Sequence, residues 1–292
     1  MRSLRGCLMV ASVFPMFVTS AAAGAPGSGD DRRFDRSRFS DPVAIDNQWL
    51  PFVPGTQFVF EGGVTDSEGT TPHRVVLTVT DVTKVIDGVS TLVLWDRDFS
   101  DGELEEEEIA FEAQDDNGTV WNLGEYPEEH EDGKFIGAPS TWISGQAGAQ
   151  AGIAMLARPE VGTPDYRQGY APEIDFEDRG RVDKAHQKTC VPVACYQDVL
   201  VIDEWDPLDQ PADGHQLKYH APGVGTVRIQ ARGGEEQENM KLVKLRRLSA
   251  GELAKARDRV LELDRRAYKF AKDVYGGTPP AEPLGGAGKK TS

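Results

Sequence analysis

Residues His73 to Phe99 read HRVVLTVTDVTKVI, then DG, then VSTLVLWDRDF, and this stretch decides the fold. Two apolar, β-branched runs flank Asp87-Gly88, a pair that makes a two-residue hairpin turn because both residues tolerate positive φ. The same punctuation continues on either side. Ser100-Asp101-Gly102-Glu103 turns the chain into Leu104 to Gln114, and Asp115-Asp116-Asn117-Gly118 turns it again into Thr119 to Glu125. Upstream, Gly55 to Glu61 (GTQFVFE) supplies the preceding strand. Downstream of an irregular stretch, 126–164, strands resume near Tyr166 to Tyr170, Gly180 to Cys190, Cys195 to Trp205, Gln216 to His220, Gly225 to Ala231 and Glu238 to Leu245. The expected fold is mainly β: a curved antiparallel meander, half-barrel or barrel, with one C-terminal amphipathic helix.

Strand parity adds to this. On the Val89 strand one face carries Leu92, Leu94, Asp96 and Asp98, and the other Val93, Trp95 and Arg97. Both faces are apolar in the middle, so both need cover, which suits strong curvature. The helix, 249–275, opens with the capping box Ser249-Ala250-Gly251-Glu252. Its apolar stripe is Leu253, Ala256, Val260, Leu263, Ala267, Phe270 and Val274, and it stops at Gly276-Gly277. The stripe is expected to pack on the sheet or across its concave face.

The N-terminus reads as a signal peptide, residues 1–23. Arg2 and Arg5 precede an apolar run from Cys7 to Val18, followed by the small-residue site around Ala21 and Ala23. The run is too short to span a bilayer, so no transmembrane anchor is expected. A Gly-, Ser- and charge-rich lead-in, 24–40, precedes a single β domain, 41–277, and a disordered tail, 278–292. Periplasmic or secreted localisation follows. The formal charge of −16, near −18 once Arg2 and Arg5 are removed, argues against nucleic acid and against anionic membranes. Such a charge attracts cationic ligands or metal ions. Export makes a disulfide of Cys190 and Cys195, whose intervening residues look like a tight turn between strands.

Nucleotide, zinc-protease and nucleophile-elbow motifs are missing, so no cofactor, no nucleotide partner and, more plausibly than not, no enzyme are expected. Asp96, Asp98, Asp101 and Glu103 resemble part of a calcium loop, but the glycine is at the seventh position and strands flank it. A calcium-type cation stands as the alternative ligand there. Glu105 to Glu108 must send two carboxylates to each face, and solvent is the expected environment. The five histidines show no metal spacing. Trp121, Tyr170, Trp205 and Tyr219 are the aromatics expected to line a hollow in the curved sheet.

Ile45-Asp46-Asn47 with Trp49-Leu50-Pro51 and Val53-Pro54-Gly55-Thr56, then Lys218-Tyr219-His220-Ala221-Pro222-Gly223-Val224-Gly225, and finally Asp273-Val274-Tyr275-Gly276 with Thr278-Pro279-Pro280, resemble a group of exported, largely uncharacterised bacterial proteins and lipoproteins. The resemblance implies a curved antiparallel sheet like that of periplasmic lipoprotein carriers. It brings no catalytic residues, and this chain lacks their lipidation Cys. The function expected is non-catalytic binding of an apolar or amphipathic small molecule or lipid. A cation-binding or a structural, interaction role in the envelope is the alternative. Oligomeric state is not readable.

Overall fold

The computed structural model describes residues 32–208 and 214–285. The expected signal segment, most of the lead-in and the last seven positions of the tail lie outside the described residues. The strands are β1 (Thr56–Thr65), β2 (Thr70–Ile86), β3 (Val89–Ser100), β4 (Glu103–Gln114), β5 (Val120–Glu131), β6 (Lys134–Gly137), β7 (Trp142–Ile143), β8 (Gln150–Met155), β9 (Tyr166–Ala171), β10 (Phe176–Cys190), β11 (Cys195–Trp205), β12 (His215–Ala221), β13 (Gly225–Arg232), β14 (Gln237–Arg247) and β15 (Glu282–Pro283). Helices α1 (Ala250–Phe270) and α2 (Lys272–Tyr275) follow β14. Asp87-Gly88 and Asp101-Gly102 take positive φ at both positions, 50° and 81°, then 47° and 87°, as their turns require.

Twelve of these strands form a closed antiparallel barrel, in the order β1-β14-β13-β12-β11-β10-β9-β8-β5-β4-β3-β2. The ring closes because β1 also pairs with β2, from Gln57↔Thr78 to Thr65↔Thr70. The short β6 and β7 pair with β5 off the ring, and β15 adds to the edge of β2. Cys190 and Cys195 face each other in the β10–β11 register and are disulfide-bonded.

One end of the barrel carries the turns after β2, β4, β10 and β12. Residues 41–54 cross this end. Asn47 Nδ2 donates to the carbonyls of Gly118 (2.8 Å) and Leu156 (3.2 Å), and Gly223 N donates to Gln48 O (2.7 Å). Ile45 and Phe52 pair as an isolated bridge and are buried there. The opposite end carries turns bearing exposed acids, among them Glu68, Asp101, Asp132, Asp175 and Glu235.

Helix α1 lies on the outer wall, against β2, β3 and β4. It does not cross a concave face. Its capping box forms as read from the sequence, and the helix breaks at Ala271 (φ −125°, ψ 37°) before α2. Ala256, Val260, Leu263 and Ala267 are buried on the wall. Tyr275 then packs its ring on Phe111 and Tyr126, with centroids 6.2 and 5.8 Å away. A second correction concerns β5. It runs on to Glu131, so Glu128 and Glu129 are strand residues and not part of the irregular stretch. The stretch 278–285, expected as disordered tail, is held by β15 and by Ala281 N donating to Asp264 Oδ2 at 3.1 Å.

The dock is polar at its centre. Lys84 Nζ, on the outer face of β2, lies 2.8 Å from Asp264 Oδ1 and 2.7 Å from Pro279 O. Tyr275 donates its hydroxyl to the same Asp264 oxygen at 2.8 Å. Lys84 and Asp264 are 1% and 2% exposed, so removing one partner strands the other charge in a low-dielectric site. Arg257, which pairs with Asp81 near the surface, keeps a third of its side chain in water. In urea titrations Asp264→Ala is expected to cost about 3–5 kcal/mol, and Arg257→Ala less than about 1 kcal/mol. Equal costs would show that the buried pair does not anchor the helix.

Candidate functional site

Pleating sends alternate residues to opposite faces, so closure sorts every strand into an outer wall and a lumen. Because α1 is outside, the strand residues it touches mark the outer face. Glu107 pairs with Arg259 and Glu128 with Arg266. The intervening residues and their cross-strand partners face the lumen: Leu94↔Ala110, Asp96↔Glu108 and Asp98↔Glu106 between β3 and β4, then Ala110↔Glu125 and Glu106↔Glu129 between β4 and β5. On the far wall Leu200, Ile202 and Glu204 of β11 pair with His220, Lys218 and Gln216 of β12. The charge of Lys218 is felt across the lumen by Glu112 and Glu125.

The lumen has two layers. Toward the capped end Phe58, Phe60, Leu92, Leu94, Leu200, Ile202 and Leu242 belong to one packed cluster, and each is 4% exposed or less. A void would expose its lining, so this layer is filled. Toward the opposite end the lining turns to carboxylates: Asp96, Asp98, Glu106, Glu108, Glu125, Glu129, Asp178, Glu204 and Glu238. Glu112, beside Leu92, sits at the boundary. Asp96, Glu106 and Asp178 are half-buried, and desolvation dominates their electrostatics. That combination fits a polar, wettable recess at this end of the barrel.

Some of these groups are bonded. His73 pairs with Asp98, and its Nδ1 stands 2.8 Å from Glu238, close enough to attract though the ring N–H is not aimed along the contact. Lys218 Nζ lies 2.6 Å from Glu204, which also accepts from Gln168 Nε2 at 3.0 Å. Trp142 Nε1 donates to Glu125 at 2.8 Å. Gly124 allows this last contact. Its φ is 142°, and a Cβ there would stand 2.5 Å from the Trp142 carbonyl, so a larger residue would push β7 and the indole away.

Burial dominates the electrostatics. It raises the Glu112 carboxyl to about 8, with Glu125 adding to the shift. Burial and Asp98 raise Asp96 to about 7. Burial raises Glu125 to about 7 against the opposing Trp142 hydrogen bond. Glu106, Glu108 and Asp178 are pushed well up for the same reason, with neighbouring carboxylates adding to it. For His73 burial disfavours the charge, but Asp98 and Glu238 outweigh it and lift the ring to about 10. Burial lowers His220 to about 4. Besides His73 Nδ1, three buried polar atoms here have no hydrogen-bond partner among the described residues: Glu112 Oε2, Tyr166 OH and His220 Nε2.

The four aromatics expected to share a hollow are all on the outer wall, and they are scattered. Trp121 is buried under Phe34 (5.4 Å) and borders an outer groove of about 570 Å³ with Arg33, Arg167 and Arg179. Tyr170 lies under Arg167 at 4.5 Å. Trp205 stacks on His215 and lies under Arg181. Tyr219 lies under Arg228 and donates to Gln230. In β11 and β12 the odd-numbered residues face out, which carries Trp205 and Tyr219 away from the lumen. Of the proposed cation ligands, Asp96 and Asp98 enter the lumen, whereas Asp101 and Glu103 sit exposed at the β3–β4 turn. They do not converge. Among the described residues no group of three or more His, Cys, Asp or Glu is arranged to hold a metal ion. Glu106 and Glu108 enter a polar interior and not solvent, because β4 is a wall of a closed barrel.

These shifts fix a pH dependence. A carboxyl raised in the folded state contributes stability below its ordinary value near 4.5, and loses it as pH rises through the folded value. Glu112 and His73 therefore weaken the fold as pH rises from 6.5 to 8.5, whereas Asp96 and Glu125 do so mainly from about 4 to 7. His220 acts in the opposite sense, but only between about 4 and 6.5, and the carboxyls lowered by capping, such as Glu252 at about 2, act below 4.5. The melting temperature is expected to fall from pH 6.5 to 8.5. Glu112→Gln should be near neutral at pH 5 and stabilising by about 1–3 kcal/mol at pH 8.5. A melting temperature that climbs across this window contradicts the assignment.

No protein-family model matches the chain, and no curated protein matches it. Among solved structures it is similar to a protein of Bacteroides fragilis NCTC 9343 provisionally named as exported, with a YmcC-like fold. That match has a TM-score of 0.39 and 13% identity, and covers 68% of this chain and 99% of that one. It is also similar to a protein of Parabacteroides distasonis ATCC 8503 provisionally named a lipoprotein, with a TM-score of 0.40 and 11% identity, covering 68% of this chain and 98% of that one.

Proposed function

We propose that this is an exported, non-catalytic binding protein that takes a small polar ligand into the carboxylate-lined half of its barrel. The observation that carries the reading is Glu112. Glu112 is 6% exposed, it faces the lumen, and its Oε2 has no partner among the described residues. An unmet buried polar atom costs about 1–3 kcal/mol, and the polar recess of the lumen is where its partner would come from. The apolar ligand expected from the sequence finds little support, since the apolar layer is filled by its own side chains. The N-terminal signal pattern supports export.

A thermal-shift panel of amines, carboxylates, sugars and alcohols tests the reading. A ligand at about a hundred times its Kd adds about 2.7 kcal/mol, which raises the melting temperature of a domain this size by roughly 5–10 °C. Ala110→Leu, which fills the lumen between Leu94 and Glu125, is expected to abolish the shift. Trp205→Ala and Tyr219→Ala on the outer wall should preserve it. If no class shifts the protein, or if the outer variants lose the response while Ala110→Leu keeps it, lumen binding is wrong.

A further inference from the structure

We propose that the ligand of this lumen is an organic polyamine, an elongated chain bearing several ammonium groups. The inference rests on lumen binding and adds the chemical class.

The first support is a contrast within the protein. On the outer wall, buried carboxylates have cationic partners. Glu107 pairs with Arg259, Glu128 with Arg266, Asp264 with Lys84, and Asp203 with Arg181 and Arg232. Inside, the cationic side chains on the wall among the described residues are His73 and Lys218, and they pair with Asp98, Glu238 and Glu204. Glu106, Glu108, Glu112 and Glu125 form no ion pair with a described residue. The sequence holds ample arginine, and the fold places it outside.

The second support is independent of charge. Glu112 Oε2 is a buried oxygen without a partner among the described residues, and once its carboxyl is ionised it needs an N–H or O–H donor. Lining that accepts hydrogen bonds and carries negative charge selects a ligand with many donors and positive charge. An ammonium group offers up to three donors.

The third support is shape. A metal ion draws six to eight oxygens to about 2.3–2.6 Å around one point, and the described residues provide no such group. These carboxylates are instead strung along the wall. Glu106, Glu108 and Glu112 lie on one face of β4, and at about 3.4 Å per residue the run is roughly 20 Å long. Asp96 and Glu125 flank it on the neighbouring strands, some 4.8 Å to either side. A row of charge matches a row of ammonium groups.

Spermidine is the probe, titrated calorimetrically into the full chain at pH 8 in about 0.15 M NaCl, where surface attraction is largely screened. Saturable binding is expected. The double variant Glu108→Gln/Glu125→Gln should weaken it tenfold or more, the size of one lost charge-assisted hydrogen bond. Glu68→Gln/Glu235→Gln, at exposed turns, should change it less than about twofold. Binding should release protons, seen as a heat that varies with the ionisation enthalpy of the buffer. It should also weaken by up to about tenfold per pH unit below 7 for each carboxyl that must ionise. Asp96 and Glu106 face the same space and share this titration, and the charge of Lys218 acts on it from the far wall. The lumen double variant should melt higher than wild type at pH 8, which shows that it folds. Three outcomes overturn the inference: equal weakening by the turn and lumen variants, an equal response to calcium, or no spermidine binding where a sugar, alcohol or carboxylate shifts the protein. The last of these leaves lumen binding standing. Failure of the whole panel removes both.

Discussion

Strand β1 hydrogen-bonds along both edges, to β14 from Thr56↔Arg247 to Thr65↔Gln237 and to β2 from Gln57↔Thr78 to Thr65↔Thr70. That double pairing closes the sheet and removes its free edges. It also divides each strand into residues that meet solvent or the docked helix and residues that meet only one another. Barrels of about eight strands have interiors that side chains fill, and those of sixteen or more leave aqueous channels. Twelve falls between, and this lumen shows both behaviours. Large apolar side chains fill one half, under the segment that crosses the end. The other half is lined by carboxylates, of which Asp96, Glu106 and Asp178 keep accessible surface.

Closure also explains why the electrostatics of the two faces differ. A carboxylate on the outer wall can be reached by a long arginine from α1, since the helix lies along the strands that carry Glu107 and Glu128. The arginine stem packs on the wall and its head finds the acid. Among the described residues no arginine reaches in to do the same for Glu108 or Glu125, although the Trp142 indole donates to Glu125. Their neutralisation must come from protons, from Lys218 across the lumen, or from something that enters. The raised values of Glu112 and Glu125 express the first of these.

Much of this architecture was legible locally. Asp87-Gly88, Asp101-Gly102 and Asp115 to Gly118 have the chemistry of tight turns, and each forms one. Ser249 and Glu252 cap the helix because the sequence places them three apart before an apolar stripe. What the sequence does not carry is strand order across the irregular stretch 126–164, where β8 pairs with β5 and then β9. Without that order the sign of the parity is open. In β11, Val199 and Val201 alternate with Leu200 and Ile202, so both faces read apolar and nothing local says that Trp205 faces out and Glu204 in. The aromatics were the conspicuous residues, but an aromatic on an outer wall can be covered by arginine, as Tyr170, Trp205 and Tyr219 are. The carboxylates looked like ordinary surface charge because only closure makes them interior.

One local signal did point inward. Four consecutive glutamates, Glu105 to Glu108, are poor strand formers, and a sheet selected for stability alone would not use them. Alternation forces half of such a run into any closed barrel. Glu107 is matched by Arg259 and bonded by the Trp95 indole at 2.9 Å, so its burial has a structural reason. Glu106 and Glu108 have no such match, and their side chains oppose Asp98 and Asp96, which carry the same sign of charge and should repel them. Places where local rules are broken without a local compensation are where function is expected. By that measure the inner face of β3, β4 and β5 is the part of this protein whose composition stability does not explain.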